Sequence, residues 1–245
     1  MKKIVGKLLL VWMALCFILT MLLFLLPIWA VILWPEPRRT DIMIKLSRAW
    51  MAMYFFFAGI RLTIRGREKF APGQNYIVVC NHNSMMDVPI TSPGIPGANK
   101  TIAKKEMMKI PVFNIVYRRG SVLVDRNSDQ SRRESYLRMK EVLEMGMHMC
   151  IYPEGTRNKT HKPLKEFHEG AFRLAKDTGK PIMPAVIFGT ARMLPTRGGM
   201  IFRPGKLEMH FLDPIPVTDE DSAKDLKDKA FRVMWDHYEA NRDRI

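Results

Sequence analysis

Leu8 to Trp34 is a run of 27 residues without a charged side chain, and it limits what the chain can become more than any other stretch. Wound as a helix it extends about 40 Å, longer than the hydrocarbon layer of a bilayer, about 30 Å. A soluble domain rarely buries so long a run. A cleaved secretory leader has a shorter apolar region closed by a small-x-small site, which this run lacks. The segment is therefore expected to associate with a membrane. Pro27 interrupts it and is placed to kink it. Lys2, Lys3 and Lys7 precede the run, and Arg38, Arg39, Lys45 and Arg48 follow it, too even a distribution to orient a span. A second helix is expected over 42–60, with Lys45 and Arg48 on one face. Its aromatic residues Trp50, Tyr54 and Phe55 to Phe57 are of the kind found at a headgroup boundary. The uncharged part, from Ala49, is too short to span. An interfacial helix pair or a kinked anchor thus competes with a single span, and simple packing of the second helix on the soluble domain is a third reading.

The chain has 245 residues, enough for one globular domain behind such a segment. The expected division is a membrane-associated helical anchor over 1–60 and a catalytic domain over 61–245. Lys and Arg outnumber Asp and Glu by 39 to 24, a formal charge of +15. That balance favours a polyanionic partner: an anionic bilayer surface, a phosphate-bearing substrate or nucleic acid. No basic-aromatic module accompanies the charge, so nucleic acid is not expected. Cys16, Cys80 and Cys150 are odd in number and far apart, without zinc spacing. They read as reduced thiols of a cytosol-facing protein rather than a disulfide framework.

Beyond residue 60 short apolar runs alternate with helical patterns. Strands are expected at 61–67 (an edge strand), 76–80, 101–103, 121–125, 149–152, 181–188 and 206–211. Helices are expected at 130–145, with N-cap residues at Asn127-Ser128-Asp129 and Gly146 as stop, at 169–178 closed by Gly179, and at 222–242. The Pro- and Gly-rich stretch 91–97 reads as loop. The alternation predicts an α/β fold: a central, largely parallel or mixed β-sheet flanked by helices and preceded by the membrane-associated helical segment.

Three polar clusters sit just beyond predicted strands, where open α/β sheets place chemistry. In the first, His82 follows the 76–80 strand and Asp87 comes five positions later. A carboxylate bonded to one ring nitrogen fixes the imidazole tautomer and leaves the other nitrogen to take a proton. The plainer reading of this pair is a cap at a strand-to-helix turn. The second cluster is Arg126 with Lys104 and Lys105 upstream, and the third is Glu154-Gly155-Thr156-Arg157. Arg126 and Arg157 have the fork geometry that suits phosphate, and Gly155 lets a backbone amide approach a ligand. Each Arg taken alone also reads as a solvated surface charge, and Glu154 as a turn cap. Together the clusters describe a base, its orienter and a phosphate cradle. No ligand spacing suggests a metal.

These residues resemble the phosphate acyltransferase family that includes the 1-acyl-sn-glycerol-3-phosphate acyltransferases. Its first motif, Asn-His-x4-Asp, is matched by Asn81, His82 and Asp87. Its second resembles Lys104-Lys105-Glu106 through Ile110-Pro111, then Gly120 to Arg126. Its third, Phe-Pro-Glu-Gly-Thr-Arg-Ser, is matched by Tyr152 to Asn158, and its fourth is similar to Pro181 to Val186. The resemblance runs from about Gly66 to Asp213. Tyr152 stands for the usual Phe, Asn158 for Ser, Asn114 for a common Gly and His168 for a frequent Lys. The resemblance implies transfer of a fatty acyl group from acyl-CoA or acyl-carrier protein to the sn-2 hydroxyl of lysophosphatidic acid, giving phosphatidic acid. The acyl thioester would be a co-substrate and no cofactor would be needed. Alternatives are another lysolipid or aminolipid hydroxyl as acceptor, or a non-catalytic membrane-surface protein that keeps the fold. The resemblance assigns His82 as base and Asp87 as its partner. Lys105, Arg126 and Arg157 would bind the acceptor phosphate, and Glu154, Gly155 and Thr156 would shape the glycerol site. It implies a membrane-bound protein with its catalytic domain facing the cytoplasm.

Overall fold

The computed structural model describes residues 2–109, 113–160, 162–195 and 200–242. Helix α1 (Lys2–Ala30) holds the uncharged run as far as Ala30, with Pro27 near its end. After a turn at 31–37 the chain doubles back as α2 (Arg38–Phe57). The indole of Trp12 donates to the Phe57 carbonyl at 3.0 Å, and that of Trp50 to Thr20 Oγ1 at 3.0 Å, which sets the two helices antiparallel. The remaining elements are β1 (Arg61–Arg65), β2 (Ile77–Cys80), α3 (Asp87–Gly94), β3 (Asn99–Lys104), α4 (Phe113–Gly120), β4 (Ser121–Val124), α5 (Asp129–Glu144), β5 (His148–Ile151), α6 (Gly170–Thr178), β6 (Ile182–Phe188), α7 (Thr190–Met193), β7 (Lys206–Phe211) and α8 (Ala223–Asn241).

The seven strands form one sheet in the order β1-β7-β6-β2-β5-β3-β4. The sheet is mixed: only the β6–β7 pairing is antiparallel. β2, β3, β4, β5 and β6 run the same way, so the segments after them emerge along one edge. β2 and β5 lie side by side in the middle and are buried throughout. This adjacency brings the turn after β2 against the loop after β5.

Alternate strand residues divide the core. Val78, Cys80, Cys150, Met183 and Ala185 join Cys16, Met21, Ile28, Trp50 and Tyr54 of α1 and α2 on one face. Ile77, Val79, Met149, Ile151 and Val186 pack under α5, α6 and α8 on the other. The first two helices therefore share a hydrophobic cluster with the sheet. Their outward side keeps large apolar groups in the open, among them Leu8 (65 %), Leu26 (71 %) and Phe56 (78 %).

One stretch read as loop is helical. α3 runs to Gly94 although Pro89 and Pro93 lie inside it. Pro89 is in the first turn, where a backbone N–H has no helical partner in any case. At the far end Arg48 donates to the Pro93 and Ile95 carbonyls, and Arg67 to that of Gly94. These guanidiniums satisfy acceptors that a short helix leaves open. α4 is an additional helix, between β3 and β4, that was not among the expected elements. Ile110 and Pro111 of the second motif lie outside the described residues.

Candidate active site

The central turn is built from the end of β2. The Asn81 side chain bonds both backbone groups of Ile187, donating to its carbonyl at 2.9 Å and accepting from its N–H at 2.7 Å. This fixes the exit of β2 against β6. The chain then turns back so that one oxygen of Asp87, Oδ2, accepts from Asn83 N–H at 2.7 Å and Ser84 N–H at 2.8 Å, and lies 2.7 Å from His82 Nδ1. Asp87 is fully buried at the first position of α3, where a carboxylate also suits the helix dipole. Asp87 thus binds the imidazole and the turn ahead of α3 at once, and it does not cap the helix itself. A carboxylate oxygen only accepts, so Nδ1 carries the ring proton and Nε2 presents its lone pair. The His82 side chain keeps 18 % of its surface accessible.

The loop after β5 grips the same histidine. Glu154 is fully buried; its Oε1 accepts from His82 N–H at 2.9 Å and its Oε2 from Lys165 N–H at 3.2 Å. The Asn158 N–H donates to the His82 carbonyl at 2.6 Å. Both backbone polar groups of His82 are therefore held by one loop. Burial pushes the Glu154 carboxyl up to about 7; nearby Asp87 adds to the rise, and the two N–H donors oppose it. Gly155 turns the loop at φ +69°, its N–H bonded to Tyr152 O and its carbonyl accepting from the Arg126 guanidinium.

The structure brings His82, Asp87, Glu154, Gly155 and Arg126 together through this chain of contacts. Thr156 joins them through Lys165, whose ammonium donates to its hydroxyl at 2.9 Å. Arg157 follows on the same loop, exposed and without an ion pair among the described residues. Lys105 is exposed in the short 3-10 turn after β3, two strands from β2 along the same edge. Both Glu154 oxygens accept from backbone N–H groups inside the protein, and the Gly155 N–H is bonded to the Tyr152 carbonyl. Lys165 and Tyr152 were not singled out as site residues. Nothing in the sequence marks Lys165, whereas Tyr152 was visible as a departure from Phe.

A general base on a buried carboxylate, beside cationic side chains at the rim of an α/β sheet, suits activation of a hydroxyl on a phosphate-bearing molecule. Residues 61–188 match the family model described as acyltransferase, more than half of the chain, and the chain belongs to that family. Among curated relatives it is 30 % identical over 174 residues to the 1-acyl-sn-glycerol-3-phosphate acyltransferase of Cocos nucifera, covering 70 % of this chain and 55 % of that one. It is 29 % identical to the alpha enzyme of that name from Bos taurus, covering 71 % and 60 %. The chain thus spans a little over half the length of these relatives. Among solved structures it is similar to the 1-acyl-sn-glycerophosphate (LPA) acyltransferase PlsC of Thermotoga maritima, with a TM-score of 0.82, 25 % identity and coverage of 98 % of this chain and 97 % of that one.

Proposed function

We propose that this acyltransferase moves a fatty acyl group from a thioester to the sn-2 hydroxyl of lysophosphatidic acid, giving phosphatidic acid. The observation that carries the reading is the His82 ring fixed through Nδ1 at 2.7 Å from Asp87, which leaves Nε2 as a lone-pair acceptor. An alcohol is a weak nucleophile at neutral pH. Nε2 takes its proton as the oxygen attacks the thioester carbonyl, and Asp87 stabilises the imidazolium that forms. Collapse of the tetrahedral intermediate breaks the C–S bond. The thiolate leaves readily, and the imidazolium returns its proton.

Cys80, two residues before His82, is the nearest thiol in sequence. It is fully buried, and burial holds it well above the usual thiol range, so direct transfer to the acceptor is the simpler path. Arg157 and Lys105 are exposed cations suited to the acceptor phosphate, and Arg126 supports the loop between them. The donor is acyl-CoA or an acyl-carrier protein; both present the same thioester carbonyl.

The acceptor and product are lipids. Supporting a membrane-surface enzyme, the helical segment 3–33 is long and apolar enough to cross a bilayer. α1 buries Cys16, Thr20, Met21 and Ile28 against the protein along its length, so a lipid layer would meet its outer side. On this reading the domain lies against the cytoplasmic leaflet with α1 in the interface. The test is conversion of lysophosphatidic acid to phosphatidic acid by the purified full chain in detergent, with labelled acyl-CoA and acyl-carrier protein as separate donors. Product with either donor supports the reading. Thioester hydrolysis without transfer, or transfer only to a different acceptor, overturns it.

A further inference from the structure

We propose that Tyr152 is a positioning residue for the His82–Asp87 pair, its ring lying under the imidazole and its hydroxyl tying the end of β5 to the helix that carries Asp87. The inference rests on the reading of His82 as general base.

The Tyr152 and His82 rings are stacked, centroids 4.4 Å apart and planes 25° from parallel. One face of the imidazole is therefore covered by an aromatic face. Rotation of the ring away from Asp87 would have to break the stack as well as the Nδ1 bond. When His82 accepts a proton it becomes a cation directly over that π-face, an arrangement that stabilises positive charge. The ring thus acts with Asp87 on the same species, from a different direction.

The hydroxyl holds the ring in turn. Tyr152 Oη is hydrogen-bonded to Thr91 Oγ1, and Thr91 Oγ1 is bonded to the carbonyl of Asp87. A carbonyl only accepts, and a threonine hydroxyl has one hydrogen. Thr91 therefore donates to Asp87, and Tyr152 donates to Thr91. Burial among Cys150, Cys80 and Asp87 holds the phenol well above its usual range, which keeps it a neutral donor. The relay runs from the strand that leads into the Glu154 loop to the first residue of α3. Asp87 is thereby held at its side chain by the turn after β2 and at its backbone carbonyl by Thr91, which the hydroxyl of Tyr152 in turn holds. Since Thr91 keeps its own acceptor when the phenol is removed, loss of the hydroxyl mainly frees the ring and strands no buried donor.

The family motif that this segment resembles has Phe here, which supplies the stack without the tie. Tyr152→Phe is thus the conservative probe, Tyr152→Leu removes the π-face, and Thr91→Val removes the relay from the other side. Expected are a kcat lowered about threefold in Tyr152→Phe and on the order of tenfold or more in Tyr152→Leu. KM for lysophosphatidic acid should stay within about twofold, because neither change reaches the acceptor-binding cations. The double variant Tyr152→Phe/Thr91→Val should be no worse than the poorer single one, since both cut one relay.

A second readout does not depend on turnover. In 15N-histidine-labelled protein, assigned with His82→Gln, the His82 ring should report a single Nδ1–H tautomer in the wild type and a mixture in Tyr152→Leu. A Tyr152→Leu variant with wild-type kcat and an unchanged tautomer, or fully additive losses in the double variant, overturns the proposal. If the wild type makes no phosphatidic acid at all, the failure lies with the assigned reaction, and the tautomer measurement still decides the role of Tyr152.

Discussion

Glu154→Gln separates a residue that positions His82 from one that touches substrate. The carboxyl is fully buried and titrates at about 7 instead of 4.5, chiefly through burial. The folded state therefore binds the proton more tightly than the unfolded chain. Stability from this group is complete below pH 4.5 and is lost as pH rises through 7. That separation corresponds to about 3 kcal/mol over the whole window and about 2 kcal/mol between pH 5.5 and pH 8. Glutamine cannot titrate, and it offers one carbonyl where two N–H groups need acceptors. The N–H of His82 or of Lys165 is left facing an amide NH2, a further cost of about 1–3 kcal/mol at any pH. Other carboxyls act in the opposite sense, such as Asp221, held down to about 2 by its bonds to Lys229 and Thr218. The difference between variant and wild type isolates Glu154 from them. Thermal unfolding in detergent should show the variant less stable at pH 8, with the gap widening by about 4–8 °C at pH 5.5 for a chain of this size. In the acyl-transfer assay kcat should fall while KM for lysophosphatidic acid holds. A gap independent of pH would refute the buried titration. A raised KM with kcat intact would return Glu154 to the substrate site.

Arg157→Ala should raise KM for a phosphate-bearing acceptor with a smaller effect on kcat; steady-state kinetics with lysophosphatidic acid checks this, and an unchanged KM would mean the charge only faces solvent. Gly155→Ala places a Cβ 2.9 Å from the His168 ring at φ +69°, so the loop should loosen and the protein lose about 1–2 kcal/mol, read by denaturant unfolding alongside a fall in kcat.

Much of the fold was legible because its local signals agree with its tertiary packing. Ser128 accepts from Ser131 N–H as the N-cap of α5, Gly179 ends α6 in the left-handed region, and Ser222 opens α8 with a capping box. The edge strand expected over 61–67 forms over 61–65, and the strand expected over 206–211 keeps those bounds. What failed depended on distant partners. The second half of α3, 91–94, reads as loop until Arg48 and Arg67 arrive from other elements to hold its last carbonyls. The reversed direction of β7 is a matter of chain routing that no local pattern encodes.

The site divides in the same way. The His82–Asp87 spacing was legible because a five-residue turn confines the pair to one another. The convergence of Arg126 with the Glu154 loop followed from strands running alike. Whether Glu154 faced substrate or protein was not legible, since its direction is set by the backbone N–H groups of His82 and Lys165, far apart in sequence. The stacking of Tyr152 on His82 likewise exists only because β2 and β5 are neighbours in the sheet.

His82→Ala tests the central claim most directly. The Asn83 and Ser84 N–H groups still hold Asp87 in that variant, so the turn should persist and the unfolding midpoint should stay near that of the wild type. Formation of phosphatidic acid from lysophosphatidic acid and an acyl thioester should fall by about 10²–10⁴-fold in kcat. A folded variant that retains most of its turnover would contradict the account.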